Sequence, residues 1–361
     1  MHLLAILYLY VVALRRLYHV EDQADERFFV TTTDGARLAL YRYRPQGRTL
    51  PLEPVLLVHG LGANRLNFDL NEEFSLARDL AAQGMDCWLV DLRGCGASSV
   101  PETRWLWNFD DHALVDIPAA LDFIRSLTGY ERVHWVGHSM GGMLLYAYLL
   151  RGSPQRIASG ITMGSPVCFS PRTDSMRHAV HFQNLIRLLP RVPNAFFLQL
   201  VTPLLGVVDL GGTVRRQMNP RNVDWGVMRG ALYNTASHIS PGVLGQFLSW
   251  MRSGDFTSAD GAYSYQANLE QIETPLFVIS GRGDRLVPAC DSRSGFERVS
   301  STTKRYLELC AEDGFADDYG HIDLVFGRHA RVEVFPEIAA WLHTFSDKRG
   351  RADSTEPSIL P

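Results

Sequence analysis

The sequence predicts an α/β protein: a mostly parallel central sheet with helices on both faces, interrupted once by a helical insertion. Three observations predict it. Short apolar runs recur at Pro54–Val58, Cys87–Val90, Val133–Val136, Gly160–Met163, Leu276–Ile279 and Tyr306–Leu309; continuous rather than alternating apolar strands belong to sheets covered on both faces. Helical stretches separate these runs, which is the rhythm of a parallel sheet. That rhythm stops between about Cys168 and Asn268, where apolar patches punctuated by Pro190, Pro193, Pro203, Pro220 and Pro241 indicate helices with no buried strand.

The first element is a 12-residue apolar run, Leu3–Leu14, followed by Arg15-Arg16. A membrane-spanning helix needs about 20 residues. No Lys or Arg precedes the run and no small-x-small cleavage site follows, so a signal peptide is not indicated. Two readings stand side by side: a helix lying on a membrane or lipid surface, and a helix packed on the body of the protein. Next, RFFVTTT and ARLALYRYR flank Asp34-Gly35, a hairpin signal. Helical spacing of apolar residues predicts helices over 72–83, 111–127 and 140–150, and a closing helix over 334–345. Within the insertion the helical patches are Leu185–Leu189, Phe196–Leu200 and Val243–Leu248. The expected organisation is an N-terminal apolar helix or anchor over 1–26 and an α/β domain over 27–167 and 269–345. A helical cap spans 168–268, and a charged, disordered tail spans 346–361.

Composition narrows the classes of function. The 361 residues include 35 basic and 39 acidic side chains, a net charge of −4, with 46% hydrophobic and 20% charged residues. This excludes disordered, collagen-like and coiled-coil proteins, and it lacks the basic footprint of a nucleic-acid-binding domain. All the basic residues except Lys304 and Lys348 are arginine. Residues 168–268 carry nine arginines against five aspartates. A mildly basic cap of this kind suits anionic interfaces or substrates, and equally suits solvated helix faces. Cys87, Cys95, Cys168, Cys290 and Cys310 are widely spaced with no CxxC pair. They read as scattered thiols of a cytoplasmic or peripherally membrane-associated protein, with export and one disulfide left open. No HExxH or Cys/His spacing marks a metal site, and the glycine loops do not match a phosphate-binding pattern. No metal and no cofactor are expected.

The strongest chemical signal is Gly137-His138-Ser139-Met140-Gly141, which follows an apolar strand and opens an apolar helix. Flanking glycines permit a tight strand-to-helix turn that exposes the serine hydroxyl at the sheet edge. A serine needs a base held by an acid. Asp284 follows the strand ending at Ile279, and His321 lies in a loop after the last strand, giving the chain order Ser139, Asp284, His321. Asp323 is a second, weaker carboxylate beside His321, better suited to support than to the triad. His59-Gly60-Leu61-Gly62 follows another strand. The backbone N–H groups of Leu61 and Met140 are the expected oxyanion hole.

VHGLG, DLRGCGAS, VGHSMGG, ISGRGD and DYGHIDLVFG, in that order over about residues 27–345, resemble the α/β-hydrolase superfamily. FDDHALVDIPAALDFIRSLTG and YGHIDLVFG are most similar to its acid-lipase-type and bacterial lipase/esterase branch. The resemblance implies hydrolysis of a small-molecule carboxylic ester through an acyl-serine, and a helical cap over an apolar acyl pocket. The chain departs from acid lipases in carrying Met140 where they often have Gln. Two alternatives accompany this reading: acyl transfer from the same acyl-serine, and a non-catalytic binding protein on the same fold.

Overall fold

The computed structural model describes residues 2–47, 50, 52–100, 106–169, 192–207 and 212–353. Helix α1 (His2–Tyr18) precedes the antiparallel hairpin β1 (Glu26–Thr31) and β2 (Arg37–Tyr43). The chain then runs β3 (Val55–Val58), α2 (Leu76–Ala82), β4 (Cys87–Asp91), α3 (Ile117–Thr128), β5 (Val133–His138), α4 (Met140–Arg151) and β6 (Ile157–Met163). Four helices are described before the next strand: α5 (Asn194–Val201), α6 (Thr213–Gln217), α7 (Trp225–Thr235) and α8 (Pro241–Ser253). The remainder is β7 (Leu276–Gly281), α9 (Ala289–Arg298), β8 (Lys304–Leu309), two short helices α10 (Asp323–Phe326) and α11 (Ala330–Glu333), and α12 (Phe335–Asp353). The predicted patch Leu185–Leu189 lies outside the described residues.

The eight strands form one sheet in the order β1-β2-β4-β3-β5-β6-β7-β8. β2 pairs with β4 antiparallel, and every pairing from β4 to β8 is parallel. β3, β4, β5, β6 and β7 are buried along their whole length, because successive residues feed opposite layers. Leu57, Leu89, Val136 and Phe277 face α2 and α12, packing with Leu80, Ile338 and Leu342. Leu56, Val90, Trp135 and Val278 face α3 and α4, packing with Leu121, Ile124, Met143 and Ala147.

Helix boundaries differ from expectation for local reasons. The helix predicted from Glu72 begins at Leu76. Asn71 Oδ1 accepts the N–H groups of Glu73 and Phe74, folding that stretch into a turn. Ser75 then caps the helix at Arg78 N–H. The helix predicted over 111–127 starts earlier, at Phe109, behind an Asn108–Asp111 capping box. It passes through a π turn at His112–Asp116 before becoming α3, and ends on Gly129 at φ 74°. The closing helix runs on to Asp353, into the stretch 346–361 expected to be disordered, and residues 354–361 lie outside the described residues.

Candidate active site

β5 ends at His138, and the chain turns through Ser139 into α4. Ser139 has φ 54° and ψ −119°, and among the described residues it is the sole non-glycine residue with positive φ. Such a conformation costs of order 1–3 kcal/mol and persists where the surroundings over-determine it. The surroundings here leave no alternative. A Cβ at Gly141 would lie 1.9 Å from the Val58 carbonyl oxygen, and one at Gly137 would lie 2.4 Å from the Gly141 backbone. Ser139 N–H donates to Met163 O at 2.8 Å, tying the turn to β6. Ser139 itself is partly accessible.

The loop after β3 passes directly over this turn: a Cβ at Gly60 would sit 3.1 Å from Ser139 Cβ. His59, fully buried, fixes the loop. Its Nε2 accepts Leu92 N–H at 3.2 Å, which puts the ring proton on Nδ1, 2.9 Å from Gly60 O. Burial pushes its pKa down to about 4. Neither Leu61 N–H nor Met140 N–H donates to an acceptor among the described residues. Met140 opens α4, whose first N–H groups and dipole favour negative charge. Nearby, the DLRG stretch carries a buried ion cluster in which Arg93 pairs with Asp116 at 2.8 Å and Asp34 at 2.6 Å.

Asp284 and His321, 37 residues apart in sequence, meet beside β7 and β8. His321 Nδ1 is 2.8 Å from Asp284 Oδ2, and both side chains are buried. Asp284 is immobilised from behind, because its Oδ1 accepts Leu286 N–H at 2.9 Å and Val287 N–H at 2.7 Å. With Nδ1 engaged, Nε2 of His321 is left without a partner among the described residues. Gly164 leaves room for the ring: a Cβ there would come within 3.0 Å of His321 Nδ1.

Two supports for this site had weaker sequence signals. The His138 ring lies against the His321 ring, with centroids 4.8 Å apart, and its Nε2 is 3.1 Å from His321 O. Burial, followed by the charge of His321, lowers the His138 pKa to about 3, so the ring is neutral. A carbonyl can only accept, so Nε2 carries the single proton. The His138 Nδ1 lies 3.1 Å from Asn67 Oδ1, which also accepts Gly60 N–H at 3.4 Å, while Asn67 Nδ2 is buried without a partner, so a donor reaches Nδ1 only with the Asn67 amide turned about. Asp323 does not face the imidazole. Its Oδ2 accepts Gly320 N–H at 2.8 Å and Asn222 Nδ2 at 3.0 Å, and its Oδ1 accepts Asn219 N–H at 3.2 Å. It therefore ties the His321 loop to the segment between α6 and α7. The GHSMG pattern contained His138, and the GHID pattern contained Asp323, but only the fold supplies their partners.

Residues 53–202 match the family model described as alpha/beta hydrolase fold. The chain is 37% identical to human lysosomal acid lipase/cholesteryl ester hydrolase over 361 residues, covering 87% of this chain and 86% of that protein. With human lipase member K it is 37% identical over 133 residues, 34% of this chain and a third (33%) of that relative's length. Among solved structures it superposes on a thermophilic esterase from Thermogutta terrifontis with a TM-score of 0.60. That match has 19% identity and covers 88% of this chain and 98% of that one; at this identity it speaks to the fold. The chain belongs to the α/β-hydrolase family, in its lipase and esterase branch, and is a hydrolase.

Proposed function

We propose that the chain is a serine carboxylic ester hydrolase acting on small esters with apolar acyl groups. The observation that carries this is the 2.8 Å contact of His321 Nδ1 with a twice-anchored Asp284, next to a serine held at positive φ. Ser139 Oγ attacks the ester carbonyl while His321 Nε2 takes its proton. Asp284 fixes the tautomer and stabilises the imidazolium. The N–H groups of Leu61 and Met140 receive the developing oxyanion. His321 then protonates the departing alcohol, and water releases the acyl group by the same steps reversed. The helices between β6 and β7 serve as the cap of the acyl site, which is the reading that the apolar helical patches support.

The test is hydrolysis of p-nitrophenyl esters of graded acyl length by wild type and Ser139→Ala, with fluorophosphonate labelling in parallel. Labelling confined to the wild type and turnover rising beyond acetyl are expected. Near-wild-type turnover in Ser139→Ala would overturn the nucleophile. A sharp preference for acetyl esters would overturn the apolar acyl site.

A further inference from the structure

Helix α1 is apolar on nearly every side. Ile6, Tyr8, Leu9 and Leu17 are 63%, 68%, 65% and 72% exposed, and among its described side chains only Leu14 is buried. A helix that is apolar all round belongs in apolar surroundings, and among its described side chains most are exposed. Yet α1 is not a loose tether. Tyr10 Oη donates to Leu200 O in α5 at 2.9 Å. At its exit, Asn234 of α7 grips the backbone twice: Nδ2 donates to Tyr18 O at 2.6 Å, and Oδ1 accepts Val20 N–H at 3.0 Å.

The element that α1 rests on continues the same surface. In α5, Phe196 and Phe197 are exposed and lie edge to face, with centroids 5.8 Å apart. Asn194 at the start of α5 abuts Gly62, since a Cβ at Gly62 would be 3.1 Å from its Nδ2. The surface therefore begins beside the His59–Gly62 loop.

Charge selects the occupant. Residues 3–14 and 194–207 contain no ionisable side chain other than tyrosine, and no acid precedes Glu21. The exposed Arg15 and Arg16 close α1 without an ion pair to any described residue. An uncharged aromatic and aliphatic face bordered by arginines matches the boundary between acyl chains and anionic headgroups. A second copy would bring an equally acid-free face. No described helix is long and apolar enough to cross a bilayer. We propose that α1 and α5 form one docking surface for an anionic lipid bilayer, with α1 lying in the membrane plane. This holds whatever the chemistry at Ser139.

The test is co-sedimentation of the full-length chain with phosphatidylcholine vesicles, with and without phosphatidylglycerol, alongside hydrolysis of a soluble p-nitrophenyl ester. Leu9→Glu and Phe197→Glu alter exposed positions. Each is expected to weaken vesicle binding at least tenfold with an unchanged thermal midpoint, and Leu9→Glu, which lies outside the cap, is also expected to keep soluble-ester turnover unchanged. The Arg15→Glu/Arg16→Glu double variant is expected to lose only the preference for phosphatidylglycerol. Undiminished binding by Phe197→Glu would overturn the joint surface. A wild type that ignores vesicles, but dimerises in a way Leu9→Glu abolishes, would overturn the bilayer as occupant. Vesicle binding by a wild type inactive on esters would leave the docking surface standing and remove only the esterase reading.

Discussion

His138 Nε2 lies 3.1 Å from the carbonyl oxygen of His321, so a residue of the turn that carries the proposed nucleophile holds the backbone of the proposed base 183 positions later. The contact does not touch the imidazole nitrogens, and its effect is on where the ring stands. His138→Ala should therefore lower kcat with little change in KM, by about 10–100-fold, the usual scale for groups that orient a reacting residue. His138→Gln, whose amide can still donate to His321 O, should recover part of the loss. A loss seen mainly in KM, or no recovery with Gln, would assign His138 to packing alone.

Asp284 gives a separable test of the proposed triad. Its Oδ1 is held by Leu286 and Val287 N–H groups, so Asp284→Asn keeps an oxygen there and turns an amide NH₂ toward His321 Nδ1. The imidazole then presents its proton on the wrong nitrogen. Turnover of a p-nitrophenyl ester should fall by on the order of 10³–10⁴ while the thermal midpoint barely moves. Full activity in this variant would exclude Asp284 as the partner of the base.

Glycines at the site and away from it should respond with opposite sign. A Cβ at Gly141 meets Val58 O at 1.9 Å, whereas one at Gly230, inside α7, meets nothing within 4 Å. Gly141→Ala must push two backbones apart and should cost more than about 3 kcal/mol, enough to leave little folded protein. Gly230→Ala should raise the thermal midpoint, because alanine is favoured over glycine in a helix by about 1 kcal/mol. Differential scanning fluorimetry of the two variants decides it. A tolerated Gly141→Ala would show that the turn can relax.

Most of the fold was legible because it follows from two periodicities. Fully apolar strands marked the parallel sheet, and the absence of such strands from 168 to 268 marked the helical excursion. The positions of Ser139, Asp284 and His321 were legible for a related reason, since each follows a recognisable strand. What stayed hidden depends on side chains that compete with the backbone or meet across long separations. Asn71 diverted the start of α2 by bonding its own neighbours, and the Asn108–Asp111 box moved the next helix start forward. The Asp323 contacts with Asn219 and Asn222 cross about 100 residues, and no local pattern encodes them. The N-terminal run left two readings open, and its pattern does not choose between them: one end is clamped to α7, while most of its described side chains are exposed.

The Asp323 carboxylate yields a pH-dependent prediction. Burial raises its pKa from 3.8 to about 6 even though Gly320, Asn222 and Asn219 all donate to it. The native state thus holds a proton that the unfolded chain releases near pH 4. Between these two values the native state binds more protons than the unfolded state, so this group's contribution to stability falls as pH rises. It is fully present below about pH 4 and lost above about pH 6, and a shift of this size corresponds to roughly 3 kcal/mol. Asp323→Asn cannot ionise and lacks this dependence. The wild-type advantage over Asp323→Asn should therefore be largest near pH 4 and shrink toward pH 7, read as the gap between their urea midpoints in matched buffers. A gap that stays constant, or widens toward neutral pH, would mean that Asp323 is ionised throughout and acts as a charged anchor. In that case its three donors, rather than its burial, would set its titration.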